Sequence, residues 1–212
     1  MKLYYAPGRC SLAAHIALRE ADLRFDLERV DLGTLRTASG RNFRDLNPKA
    51  DIPLLELDGG EMLTETPVVL AYIADHAPDS HLGPPAGVSM IRYHFHEWLA
   101  FIASELHAPF TLLFDPTTPA HVQAMLRGKI SDRLLYTQKV LEDRAFLMGE
   151  SFSAADAYLF VMLQWCERFG MDLPLWPNID TYESKIAHRP TVEATLAAEG
   201  LLDRHRHFRR TA

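Results

Sequence analysis

Cys10 is the residue best placed to do chemistry. It follows a short apolar and aromatic run, Lys2 to Ala6, and the turn residues Pro7 and Gly8. It precedes Ser11 to Ala21, where Leu12, His15, Ile16 and Arg19 recur at helical spacing. The N–H groups at a helix start stabilise negative charge, and Arg9 is adjacent. A free thiol with a pKa of about 8.5 is only a few per cent ionised at neutral pH, and a drop of about two units raises the thiolate roughly twentyfold. The position therefore predicts an activated thiolate, against the alternative of a small buried hydrophobe. Ser11 offers a hydroxyl at the same helix end and serves equally well as a cap. Position 7 is Pro and position 13 is Ala, so there is no Cys-x-x-Cys. A dithiol exchanger is excluded, and monothiol chemistry with an external thiol stays open.

Other residues could assist. Ile52-Pro53 lies at the start of a strand, and a cis proline there leaves the preceding backbone free to pair with an extended ligand. Glu65-Thr66-Pro67 opens a helix. Its N-terminus can receive a carboxylate and Glu65 can meet an ammonium group, although an ordinary cap explains the same residues. His107, just before Pro109, reads more simply as a structural cap than as a base. His94 and His96 are two residues apart on a helix and point to different faces, so with Glu97 they do not form a metal site. Ser153 and Asp156 have capping-box spacing before a strongly apolar helix and are assigned to folding.

The elements that must carry these residues follow from periodicity. Lys2 to Ala6 reads as a buried strand, Ser11 to Ala21 as a helix, and the alternating Arg24 to Leu32 as a half-buried strand. Gly33 to Arg44 is polar and holds little core. Ile52 to Leu57 and Met62 to Thr64 read as a hairpin about Asp58-Gly59-Gly60, followed by a helix from Pro67 to Ala77 capped by Thr66. Residues 79–87, rich in Pro and Gly, read as a linker. Beyond them only helical stripes recur: Met90 to His107, Gln123 to Leu141 (Met125, Ile130, Leu134, Tyr136, Leu141), Ser153 to Phe169, Ile179 to Ala187 and Val192 to Glu199. An α+β unit over 1–78 thus precedes an all-α unit over 88–212.

The 212 residues carry 22 Lys and Arg against 28 Asp and Glu, a formal charge of −6, which argues against a general nucleic-acid binder. The basic run Arg204–Arg210 reads as a solvated terminus. Two cysteines do not make a secreted disulfide framework. Pro7 and Gly8 interrupt the first apolar run, and no stretch is apolar enough to span a membrane. The expectation is a soluble cytoplasmic protein.

Taken together, these residues resemble the cytosolic glutathione transferases, most closely the bacterial beta class. The matching stretches are Met1–Tyr5, Pro7-Gly8, Cys10–Leu12, His15–Glu20, Val30–Leu32, Asn47–Lys49, Pro53 and Leu63–Glu65. In the second half they are Glu97–Leu99, Glu105–His107, Ala154–Leu159 and Glu199–Leu201. The resemblance implies a thioredoxin-like N-terminal domain, an all-α C-terminal domain, a homodimer, and glutathione as co-substrate with no other cofactor and no metal. By position, Cys10, Ser11 and His107 would face the thiol. Ile52, beside Pro53, would pair with the tripeptide backbone, and Glu65 and Thr66 would hold its γ-glutamyl end. An apolar electrophile would be lined by Phe110, Leu113, Phe114 and Trp165. The implied activity is conjugation of the glutathione thiol to that electrophile, or resolution of a mixed disulfide at Cys10.

Departures from the family pattern carry information too. Leu35 and Ala108 stand where beta-class members usually have lysines, Ala50-Asp51 where a glycine is usual, and Ala100 where a dimer-facing asparagine is usual. Losing three charge-assisted contacts at about 1 kcal/mol each weakens binding by on the order of a hundredfold. The expectation is weakened glutathione affinity, with Lys49 and Arg36 as compensating candidates. The alternative is a non-catalytic member that binds apolar ligands or a partner protein.

Overall fold

The computed structural model describes residues 1–202, so the basic run Arg204–Arg210 lies outside the described residues. Strands β1 (Lys2–Tyr5), β2 (Asp26–Asp31), β3 (Arg36–Thr37), β4 (Leu54–Glu56) and β5 (Met62–Leu63) form one sheet in the order β3-β2-β1-β4-β5. Helix α1 (Ser11–Glu20) carries the chain over one face, so β1 and β2 run parallel, whereas the other pairs are antiparallel. Side-chain alternation splits the sheet. Leu3 and Leu55 join the main core with α1 and α2 (Thr66–His76), while Tyr4, Val30 and Leu54 form a smaller cluster with Phe43.

That smaller cluster corrects the sequence reading of Gly33 to Arg44. The segment contains β3 and a 3₁₀ turn, Phe43–Asp45, and buries Phe43 completely. One aromatic residue in a polar stretch makes no period, so nothing in the pattern announces its role. The Thr66 cap is corrected as well. Thr66 is the first residue of α2, and Glu65 occupies the cap position at φ +69° with no side-chain cap bond.

The second half is helical: α3 (Met90–Phe101), α4 (Ala108–Phe114), α5 (Ala120–Val140), α6 (Ala154–Arg168), α7 (Pro177–Ala187) and α8 (Pro190–Ala198). The helix expected over Met90 to His107 ends as a π-helical turn, Ile102–His107. Pro109 lacks the N–H that would continue the ladder to Glu105, which favours such a widened turn. Of the stripe expected on α5, Ile130, Leu134 and Leu141 are buried, joined by Leu126 and Thr137, while Met125 and Tyr136 are exposed.

Helix α6 is buried on all sides from Ala154 to Leu163, which explains its unbroken apolar run. It packs against α1, α2 and α3, so one continuous core joins the two halves. Residues 78–87 are tied into it. Leu82 is buried and its carbonyl accepts from the Ala154 N–H at 2.7 Å. Among the described residues no helix is long and apolar enough to cross a membrane, and no cluster of side chains could hold a metal ion.

Candidate active site

A cavity of about 390 Å³ opens between the two halves. Cys10, Leu32, Ile52, Thr64, Glu65 and Thr66 line it from the sheet half, and His107, Ala108, Thr111, Phe114, Tyr158 and Trp165 from the helical half. A larger groove of about 770 Å³ lies between α3 and α5 and contains none of the expected site residues.

The loop before Cys10 is fastened from both sides. The Gly8 N–H donates to Glu199 Oε2 at 2.9 Å, and the Gly8 carbonyl accepts from Trp165 Nε1 at 2.8 Å. Gly8 sits at φ +68°, which a side chain would strain. Glu199 is itself held by buried His15, whose Nδ1 lies 2.9 Å from Oε1. Because Arg19 Nε donates to His15 Nε2 at 3.0 Å, the neutral ring carries its proton on Nδ1 and donates to Glu199.

Cys10 stands at the start of α1 as expected, yet its thiol is not activated. Burial pushes its pKa up to about 11, outweighing the opposite pulls of the Thr66 hydroxyl, the N–H groups of Cys10 and Ser11, and Arg9. The protonated Sγ donates to the Ile52 carbonyl at 3.0 Å. The helix terminus and Arg9 pull the thiol pKa down as expected, but desolvation opposes them and is larger.

His107 follows the same logic. Burial lowers its pKa to about 4, with only a small opposing pull from Glu65, so the ring is neutral at pH 7. Its Nδ1 lies 2.6 Å from the Tyr158 hydroxyl. Tyr158 also meets the Thr66 hydroxyl, and burial raises its own pKa well above the ordinary value. Cys10, Thr66, Tyr158 and His107 therefore form a connected polar line across the cavity. Tyr158 was not singled out from sequence. Its signal was the seven-residue spacing to Trp165, which puts both on one face of α6.

Four expected site residues do not line the cavity. The Ser11 hydroxyl is fully buried and bonds the Ala6 N–H and carbonyl at 3.2 and 3.3 Å, which makes it a structural tie. Pro53 is buried beside Ile52 in a cis peptide. Phe110 and Leu113 are buried behind the wall, and Phe110 supports the Trp165 ring edge-on at 5.7 Å. Phe114 and Trp165 are the aromatic residues that reach the cavity from that set.

The departures also find places. Ala50, Asp51 and Ala108 line the cavity, but Leu35 packs against the small cluster under the sheet. Lys49 is engaged by Glu65 at 2.6 Å and by Thr64 Oγ1 at 2.8 Å. Arg36 donates to the Gly40 carbonyl at 3.1 Å and does not line the cavity.

Comparison with known proteins fits this geometry. Residues 9–76 match the family model for the glutathione S-transferase N-terminal domain, and residues 101–190 that for the C-terminal domain. The chain is 42% identical to glutathione S-transferase GstA of Escherichia coli O157:H7, covering 95% of this chain and all of that one. Two solved structures share 44% identity and a TM-score of 0.91, each covering 95% of this chain and all of the other. One is a sphingomonad glutathione S-transferase complexed with glutathione, the other a bacterial beta-class glutathione S-transferase of Sphingomonas chungbukensis. The chain belongs to the glutathione S-transferase family and is most similar to its bacterial beta class.

Proposed function

We propose that the protein is a glutathione transferase that conjugates the thiol of glutathione to an electrophile with an apolar body. The carrying observation is the polar line from Cys10 to His107, set at the junction of the two halves beside Phe114 and Trp165. In the reaction the sulfur–carbon bond forms, the leaving group departs with its electron pair, and the thiol proton passes to solvent.

Cys10 acts here as a hydrogen-bond donor toward the developing thiolate rather than as a nucleophile, its S–H turning from the Ile52 carbonyl to the bound sulfur. A thiol with a pKa of about 11 is almost wholly protonated at pH 7, which disfavours the disulfide route and suits a donor. His107, with a pKa of about 4, is too weak a base to take a proton from a thiol of about 8.5 efficiently. Electrostatic stabilisation of the thiolate is the mechanism these pKa values support.

Ile52 would pair with the peptide backbone of glutathione, and Glu65 with Thr66 would receive the γ-glutamyl end. That ammonium must compete with Lys49, which already holds Glu65. Asp51 adds an anion to the cavity wall, and Leu35 and Ala108 supply no cation. Affinity below that of relatives with lysines at these positions follows. The reading goes with a homodimer, with a division near residues 79–87, and with a reducing cytoplasm.

Cys10 variants test the assignment. Cys10→Ser keeps a donor and should retain conjugation within about threefold, whereas Cys10→Ala should lose about tenfold, the worth of one hydrogen bond. Disulfide reduction dependent on Cys10, lost in both variants while conjugation is unaffected in both, would make the redox route the true one. Calorimetric titration with glutathione tests the affinity. Low-micromolar binding would overturn the argument from Lys49 and Asp51.

A further inference from the structure

The guanidinium of Arg9 lies on the cavity wall, 4.0 Å from the centroid of the Phe114 ring. A second guanidinium, that of Arg168, approaches the same ring at 5.1 Å. Trp165 and Phe169 meet that ring edge-on, each at 4.9 Å, and so fix its plane. Two like charges share one aromatic ring, and among the described residues neither has an ion pair with a carboxylate. Desolvation and the nearby Arg168 both lower the pKa of Arg9, so its charge is poorly compensated. A planar guanidinium held on a ring and lacking a partner is preorganised to take a carboxylate through paired N–H bonds.

We propose that the electrophile this enzyme takes is an organic acid, an apolar body bearing a carboxylate that Arg9, backed by Arg168, holds at the Phe114 end of the cavity. The proposal rests on the transferase reading and narrows its substrate class from apolar to amphiphilic. Arg9 is then a specificity residue. Arg168, at the end of α6 and exposed, adds to the field without enclosing the ligand.

The test compares a matched pair, 4-chloro-3-nitrobenzoate and 4-chloro-3-nitrobenzamide, with each enzymatic rate divided by the uncatalysed rate with glutathione. The native enzyme should favour the acid over the amide by at least tenfold in kcat/KM. Whatever Arg9→Gln does to both substrates in common, that ratio should fall about tenfold, Arg168→Gln should lower it less, and Arg9→Lys should restore part of it. Titration of the protein with each compound gives the same comparison without turnover. The acid should bind at least fivefold tighter than the amide, and Arg9→Gln should remove the difference. An absence of turnover with both compounds would count against the transferase reading, while the titration alone would still decide the role of Arg9. A native ratio near one, or a ratio unchanged in Arg9→Gln, would overturn the proposal. Loss of glutathione affinity in Arg9→Gln with the ratio unchanged would assign Arg9 to the tripeptide and overturn it too.

Discussion

Desolvation governs the two titrating groups at the centre of the cavity, and it acts on them in opposite directions. It raises the thiol of Cys10 to about 11 and lowers His107 to about 4, so both are neutral at pH 7. For His107 this has a consequence for folding. An unfolded histidine takes up its proton near pH 6.5, whereas folded His107 does so only near pH 4. Between those values the unfolded state binds more protons, so stability falls as the pH drops through that window. His107→Gln removes the group, and its urea midpoint should therefore fall less than that of the native protein between pH 6.5 and 5. Parallel losses in the two proteins would contradict the burial of His107. The types and positions of Cys10 and His107 were legible in the sequence. Their protonation was not, because it depends on what the tertiary fold lays over them.

Among the elements, α6 is the one that both halves rest on, and its start is secured by Asp156. This fully buried carboxyl accepts from the Ser153 N–H, the Leu147 N–H and the Tyr182 hydroxyl at 2.8, 2.8 and 2.7 Å. The capping-box spacing from Ser153 revealed the first contact, and nothing local could reveal the other two. We therefore expect Ser153→Ala to cost about 1 kcal/mol and Asp156→Ala about 3 kcal/mol or more, since the latter strands buried donors. Chemical denaturation measures both, and equal costs would show that the Leu147 and Tyr182 contacts add nothing. Elements with a strong period, such as β2, α1 and α3, could be read directly. Strand β3 is two residues long, and the π-helical turn before Pro109 keeps the apolar spacing of a helix, so neither could be distinguished beforehand.

At the scale of the whole molecule, the change from strands and helices to helices alone after residue 87 was visible as a change of period. The shared core that joins the halves was not, because contacts between α6 and α1 link residues more than a hundred positions apart. Helix α3 turns Phe95, Trp98 and Leu99 inward and still exposes Met90, Ile91 and Tyr93, beside the groove it forms with α5. That second apolar face motivates the proposed homodimer, in which α3 would meet its symmetry mate. Sedimentation at micromolar concentration should give twice the mass of one chain. A stable single-chain mass would remove the dimer, and Ile91→Glu should shift the equilibrium toward monomer.

The bond from Gly8 to Glu199 joins positions 191 residues apart. During synthesis the loop that presents Cys10 emerges first, and its fastening emerges near the end. At the ordinary pace of about 5–20 residues per second, the two events are separated by roughly 10–40 s. Once residue 63 has been made the strands are complete, yet Trp165 is still to come, and Glu199, which holds Gly8, follows later still. A ribosome stalled before residue 199 thus carries a chain whose Cys10 loop is still untied at Gly8.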